Sequence, residues 1–221
     1  MVKGNRIKSP ISVSSLSDFG RIRLSKSFFM RDFLFSDIAA IHGLANVPED
    51  PCLAVAAGTR LCKELLEPLQ YVFGRVAIRS AYRSCEVNGL GSELQAAGKA
   101  GYSCASNEAN YAGHIWDKRD LDGNMGATAC IVLPAFHDAF PSEGEWQKLA
   151  WWIHDHLPYS SLYFFPKLWA VNITWSEAPE RRIDSYVAPK GCLTKPGMAN
   201  HSGSHADQYA EIQRATIMRQ Q

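Results

Sequence analysis

The sequence predicts an α+β fold with an antiparallel central sheet flanked by helices, and three observations carry that prediction. An apolar stripe at helical spacing (Leu61, Leu65, Leu69, Val72) precedes the first β-rich stretch. Segments rich in β-branched and aromatic residues fall at 76–80, 127–133, 162–165 and 168–175. Helical patterns lie before and between these segments without strict alternation, which argues against a wholly parallel sheet.

Residues 1–27 are polar and serine-rich and read as an arm. From Phe28, the spacing of Phe33, Ile38 and Ile41 suggests helical turns stopped by Gly43. The clearest helix spans 52–73 and ends at Gly74, with a kink expected at Pro68 because proline removes a backbone donor. Residues 86–113, rich in Gly, Ala, Ser and Asn, read as a helix-plus-loop excursion. The strand at 127–133 is ended by Pro134. A capping box at Ser142 and Glu145 opens a helix through Trp146, Leu149, Ile153 and Leu157. The segments 162–165 and 168–175 form a hairpin turning at Pro166-Lys167. The division is therefore an arm (1–27), a main domain (28–178) and a C-terminal extension (179–221) packed on it. Within that extension, Ser204 and Asp207 suggest a last helix reaching about Met218.

A formal net charge of +1 argues against a nucleic-acid footprint or an electrostatic membrane anchor. Basic residues such as Arg21, Arg23 and Lys26 read as solvated surface. No apolar run reaches the roughly 20 residues of a membrane span, and the basic N-terminus lacks an apolar core of the secretory kind. The six cysteines are irregularly spaced and read as free thiols, so a cytoplasmic location is expected.

Chemistry concentrates in four stretches. The first is Ile78-Arg79-Ser80-Ala81-Tyr82-Arg83-Ser84 followed by Glu86-Val87-Asn88, and the second is Gly113-His114-Ile115-Trp116-Asp117. The third is Gly126-Ala127-Thr128-Ala129-Cys130-Ile131-Val132, and the last is Trp169-Ala170-Val171-Asn172-Ile173-Thr174-Trp175. Together they resemble the zinc D-alanyl-D-alanine carboxypeptidase family, whose domain is also called the hedgehog/DD-peptidase fold. That family's pattern is Ser-x-Tyr-Arg-Ser with a Val-Asn, then His-x-x-Gly-x-Ala-x-Asp, then Glu-x-x-His on a late strand. The resemblance covers roughly residues 30–175.

Carried over residue by residue, the resemblance makes His114 the first zinc ligand and Arg83 the guanidinium lining the substrate cleft. It also exposes departures. Eleven residues separate His114 from Gly126, and four beyond that Gly stands Cys130 where the family has Asp. The last ligand position holds Asn172, a poor zinc donor, and the general-base position holds Trp169, which cannot accept a proton. A thiolate can bind zinc, yet Cys130 between Ala129 and Ile131 also reads as a small hydrophobe.

The expected function is a remodelled, zinc-free cleft that binds or transforms a small peptide or amino-acid-like ligand. His114, Asp117 and Arg83 are the catalytic candidates, and Tyr82, Arg83, Ser84, Asn88, Trp116 and Asn172 the ligand-binding ones. No cofactor is expected. The alternative is an active peptidase or amidase using zinc or another divalent metal on His114, Asp120, Asp122 and Cys130. The Asp120–Asp122 stretch reads equally as an ordinary solvated turn. A third reading is a non-catalytic interaction protein. His154 and His156 should face different ways. His201, His205 and Cys192 form at best a weak metal pattern, and Trp146, Trp151 and Trp152 read as packing.

Overall fold

The computed structural model describes residues 7–212. Its helices are α1 (Val13–Gly20), α2 (Asp37–His42), α3 (Pro51–Leu61), α4 (Glu67–Phe73), α5 (Cys85–Ala96), α6 (Asn107–Asn110), α7 (Pro134–Ala139) and α8 (Trp146–His156). The strands are β1 (Ala77–Ser80), β2 (Gly126–Val132), β3 (Ser161–Phe164), β4 (Val171–Ser176), β5 (Arg182–Ser185) and β6 (Gly191–Thr194).

The strands form one sheet in the order β1-β2-β4-β3-β5-β6. Every neighbouring pair is antiparallel except β3 and β5, so the sheet is mixed rather than purely antiparallel. The parallel pair arises because the chain leaves β4, crosses past β3 and lays β5 on its far edge. The C-terminal extension therefore adds two strands to the sheet instead of only wrapping the surface. Its Pro/Gly-rich punctuation hid two strands of four residues each. The helix expected towards Met218 is described only as a 3₁₀ turn at Ala206–Gln208 and the residues up to Ile212; the remainder lies outside the described residues.

One face of the sheet is sealed. Ala127, Ala129, Ile131, Leu162, Phe164, Val171, Ile173, Trp175 and Ile183 point into the core, where α3 and the following helical turn pack against β2 and β4. Between α3 and α4 the helix widens into a π turn (Cys62–Leu66). This is how the chain absorbs the donor missing at Pro68 without breaking. On the other flank Trp146 of α8 lies 4.8 Å from Phe164, ring centre to ring centre. The expected arm is anchored along its described length: Ile7 packs against the core, Ser9 donates to the Pro48 carbonyl at 2.8 Å, and Phe19 and Leu24 belong to the core. Helix α7 follows Pro134, which starts a helix as its first residue as well as ending β2.

The other face of the sheet is polar. Alternation along β4 buries Val171, Ile173 and Trp175 and leaves Asn172, Thr174 and Ser176 half-buried. The strand begins only at Val171, because Leu168 and Trp169 adopt left-handed backbone (φ 57° and 49°) in a 3₁₀ turn. Trp169 is buried there and donates its indole N–H to the Phe140 carbonyl at 2.7 Å.

Candidate functional site

The polar face of the sheet floors a cavity of about 550 Å³. Thr128, Asn172 and Thr174 lie on the floor, with Ser161 and Tyr163 of β3 beside them. Thr128 and Thr174 are register partners whose hydroxyls hydrogen-bond at 2.8 Å across β2 and β4. The loop around residues 109–114 forms one wall, 120–122 another, and Phe165, Glu180 and Tyr186 the C-terminal rim.

Close packing puts His114 at this floor. The Thr128 amide donates to the Gly113 carbonyl at 3.0 Å. A Cβ on Gly126 would stand 2.2 Å from the Ala112 carbonyl oxygen, so only glycine lets the loop press against the start of β2. His114 is 5% exposed. Its Nδ1 lies 2.7 Å from the Ala81 carbonyl, an obligate acceptor, so Nδ1 carries the proton. Nε2 is then an unprotonated acceptor with no hydrogen-bond partner among the described residues, on a residue that lines the cavity. Burial and the neighbouring Arg83 charge hold the His114 pKa down to about 3. Such a ring accepts a hydrogen bond far more readily than it takes a proton.

Arg83 is tied to His114 through its amide, which donates to the His114 carbonyl at 2.9 Å. Its guanidinium is buried, and Nη1 donates to Asn88 Oδ1 (3.2 Å) and Cys104 Sγ (2.6 Å). No carboxylate pairs with it among the described residues. Burial lowers its pKa, and the nearby Cys104 works against that. A desolvated cation without a counter-ion is costly to keep and leaves a positive field beside His114.

The remaining expected residues divide sharply. Asp120, Asp122, His114 and Asn172 line the cavity; Tyr82, Arg83, Ser84, Asn88, Trp116, Asp117 and Cys130 do not. Ser84 caps α5 through the Val87 amide. Asn88 is fully buried, donating to the Ala105 carbonyl and to Asn107 Oδ1 while accepting from Arg83. Trp116 packs in the core and donates to the Thr128 carbonyl. Asp117 is buried and its Oδ2 accepts the Glu49 amide at 2.7 Å, which holds the chain entering α3. The Tyr82 hydroxyl and Asp117 Oδ1 are buried without a well-directed hydrogen bond, yet they act on each other electrostatically. Burial raises the pKa of both, and the Asp117 charge pushes Tyr82 up further. The motif from Ser80 to Asn88 thus serves mainly to build the turn that presents Arg83 and His114.

The metal reading finds little support in the donor set. Asp120 is occupied as a turn residue, accepting from the amides of Asp122 (3.0 Å) and Asn124 (2.7 Å) and from the Asn124 side chain. Those bonds lower its pKa against the opposing effect of desolvation. Cys130 shares the polar face with Asn172, its register partner, and burial raises its thiol pKa. No three His, Cys, Asp or Glu side chains converge as a metal site among the described residues. The donors present at the family's positions therefore do not fit a catalytic zinc, which needs three protein ligands.

Sequence reasoning overlooked Tyr163, Phe165, Glu180 and Tyr186. The alternation that singled out Asn172 applies equally to Tyr163, its register partner on β3. Tyr186 and Glu180 come from a segment whose strand character was not recognised. It also treated the distal histidines separately, whereas His201 and His205 both pack against His154, with ring centres 5.1 and 5.2 Å away. Comparison with models of known protein families, with curated proteins and with solved structures gave no match in any of the three. No helix among the described residues is long and apolar enough to cross a membrane.

Proposed function

We propose that this chain is a zinc-carboxypeptidase-like domain whose remodelled cleft binds a small amino-acid-like or peptide ligand without a metal. The observation that supports this reading best is the buried Arg83 guanidinium, unpaired by any carboxylate among the described residues, beside a neutral His114 whose Nε2 has no hydrogen-bond partner among them. Groups left this way cost stability, and they become favourable when a ligand supplies a negative charge and a hydrogen-bond donor. An N–H or O–H offered to His114, and a carboxylate favoured by the positive field of Arg83 behind the cavity wall rather than by contact with it, match a free amino acid or the C-terminal end of a short peptide. Asn172, Thr128 and Thr174 add neutral hydrogen-bonding groups on the floor. Binding is favoured over hydrolysis because His114 is a weak proton acceptor and Trp169 occupies the family's base position, buried and bonded to Phe140.

The test is a titration of isotope-labelled protein with D-alanyl-D-alanine and with L-alanyl-L-alanine, read by amide and side-chain NMR. Shifts confined to Asn172, Thr128, Thr174 and His114, without dipeptide cleavage or added metal, agree with the reading. Absence of shifts at these residues at millimolar dipeptide, or zinc-dependent cleavage, overturns it.

A further inference from the structure

The rim of the same cavity has a chemical character of its own. Glu108, Asp122 and Glu180 line it as exposed carboxylates, and no lysine or arginine among the described residues does. Among the described residues the side chains of Glu108 and Asp122 have no ion-pair or hydrogen-bond partner, unlike Asp120, which is committed to its turn. Three aromatic rings stand together on the C-terminal side. Tyr163 lies 4.7 Å from Tyr186 and 5.4 Å from Phe165, and Phe165 lies 5.9 Å from Tyr186. Tyr186 is 55% exposed, so a ring face stays open to solvent.

A rim of carboxylates alone says only that the surface is solvated. The independent observation is His114, 95% buried by its 5% exposure, lining the cavity with an acceptor nitrogen unpartnered among the described residues. An acceptor on the floor, carboxylates around the edge and π faces at one side all favour the same partner, a positively charged N–H donor. A ligand without a cationic group would leave the rim carboxylates unmatched, even where its carboxylate end is favoured by the Arg83 field.

Building on the amino-acid or peptide reading above, we propose that the cleft selects ligands bearing a protonated amine, held by the Glu108, Asp122 and Glu180 rim and the Tyr163/Phe165/Tyr186 aromatic cluster. The ligand class is thereby narrowed to basic or free-amine peptides and amino acids. Because the rim carboxylates are exposed, the selection is sensitive to ionic strength.

The experiment compares N-acetyl-alanyl-lysine, N-acetyl-alanyl-norleucine and N-acetyl-alanyl-glutamate, each made with L and with D residues, by calorimetry and NMR at low and high salt. The lysine peptide is expected to bind about tenfold tighter than its norleucine isostere, as a few exposed charges and one cation–π contact allow. That advantage should shrink in high salt and fall in Glu180→Gln, Asp122→Asn and Tyr186→Ala, all at exposed positions where folding is not at stake. Equal affinity for the lysine and norleucine peptides, with shifts on the cleft floor, overturns this inference and leaves the binding reading intact. Preference for the glutamate peptide likewise overturns it. No cleft shifts with any peptide overturn both.

Discussion

Cys130 of β2 and Asn172 of β4 stand directly opposite one another in the central antiparallel pair. Directly paired side chains on one face lie within roughly 4.5–5.5 Å at their Cβ atoms. Two positions 42 apart in sequence are therefore adjacent in space on the polar face of the sheet.

On the proposed zinc-carboxypeptidase-like reading, two substitutions in that patch should create a metal site. The double variant Cys130→Asp/Asn172→His places an aspartate and an imidazole across from each other near His114. It should gain zinc affinity by at least ~100-fold over the starting protein, as expected when three ligands replace one. Zinc content after dialysis against a chelator measures this. If the starting protein holds stoichiometric zinc that His114→Ala removes, the remodelled-site reading fails.

His114 should stay neutral, with the proton on Nδ1, across pH 5–8, because its pKa lies near 3 rather than the ordinary 6.5. Imidazole ¹⁵N spectra report tautomer and charge directly, and a midpoint near 6.5 would contradict the buried geometry. The same depression links to folding. The unfolded chain binds this proton more readily, so the contribution of His114 is complete above about pH 6.5 and is lost as pH falls towards 3. Its size is on the order of a few kcal/mol.

Arg83→Met should separate binding from stability. Removing an unpaired buried cation in favour of a flexible apolar chain should leave folding stability within about 1 kcal/mol of the starting value or raise it. Dipeptide affinity should drop by roughly 3- to 10-fold, the loss expected when a buried charge behind the cavity wall no longer favours the ligand carboxylate. Arg83→Lys, which keeps the charge but not the planar donors, should bind at an intermediate level. Denaturant melts and NMR titrations provide both readouts.

Asp155 should fasten the C-terminal segment. Its carboxylate accepts from the His205 amide (2.7 Å), the His205 ring and the Tyr209 hydroxyl (2.9 Å). The two ring nitrogens of His205 face the carboxylate and the Asn200 carbonyl. These bonds, against desolvation, hold the Asp155 pKa below its ordinary 3.8. Its stabilising effect is therefore present above that value and is lost as pH falls below it. Asp155→Asn should raise hydrogen exchange across residues 200–212 at neutral pH and cost about 1–3 kcal/mol locally. Unchanged protection would show that Trp151, stacked 4.1 Å from the His205 ring, suffices to hold the segment.

What could be read from the chain follows the range of the interactions involved. The stripe from Leu61 to Val72 and the alternation of Val171, Asn172, Ile173 and Thr174 are local patterns, and both appear in the fold. The hairpin of β3 and β4 was visible because both strands are apolar on one face. Strands β5 and β6 were not, because β5 carries little apolar content and is held by β3, a partner set by topology. Arg83 was visible as a candidate, but its neighbours were not. Cys104 reaches it over 21 positions, and nothing local marks that thiol as the group facing a guanidinium. Asp117 looked like chemistry beside His114, whereas its bond to the Glu49 amide, 68 positions away, makes it a support for α3.

The crossing of β5 over β3 has a consequence for how the chain comes into being. A ribosome delivers β3 before β5, so every nascent molecule passes through a stage with one flank of β3 bare. That exposed border is only four residues long, from Ser161 to Phe164, too short a template to recruit other chains efficiently. The Tyr186 side of the pocket is thus completed last in synthesis. It can also vary between descendants of this gene without disturbing the strands that hold His114.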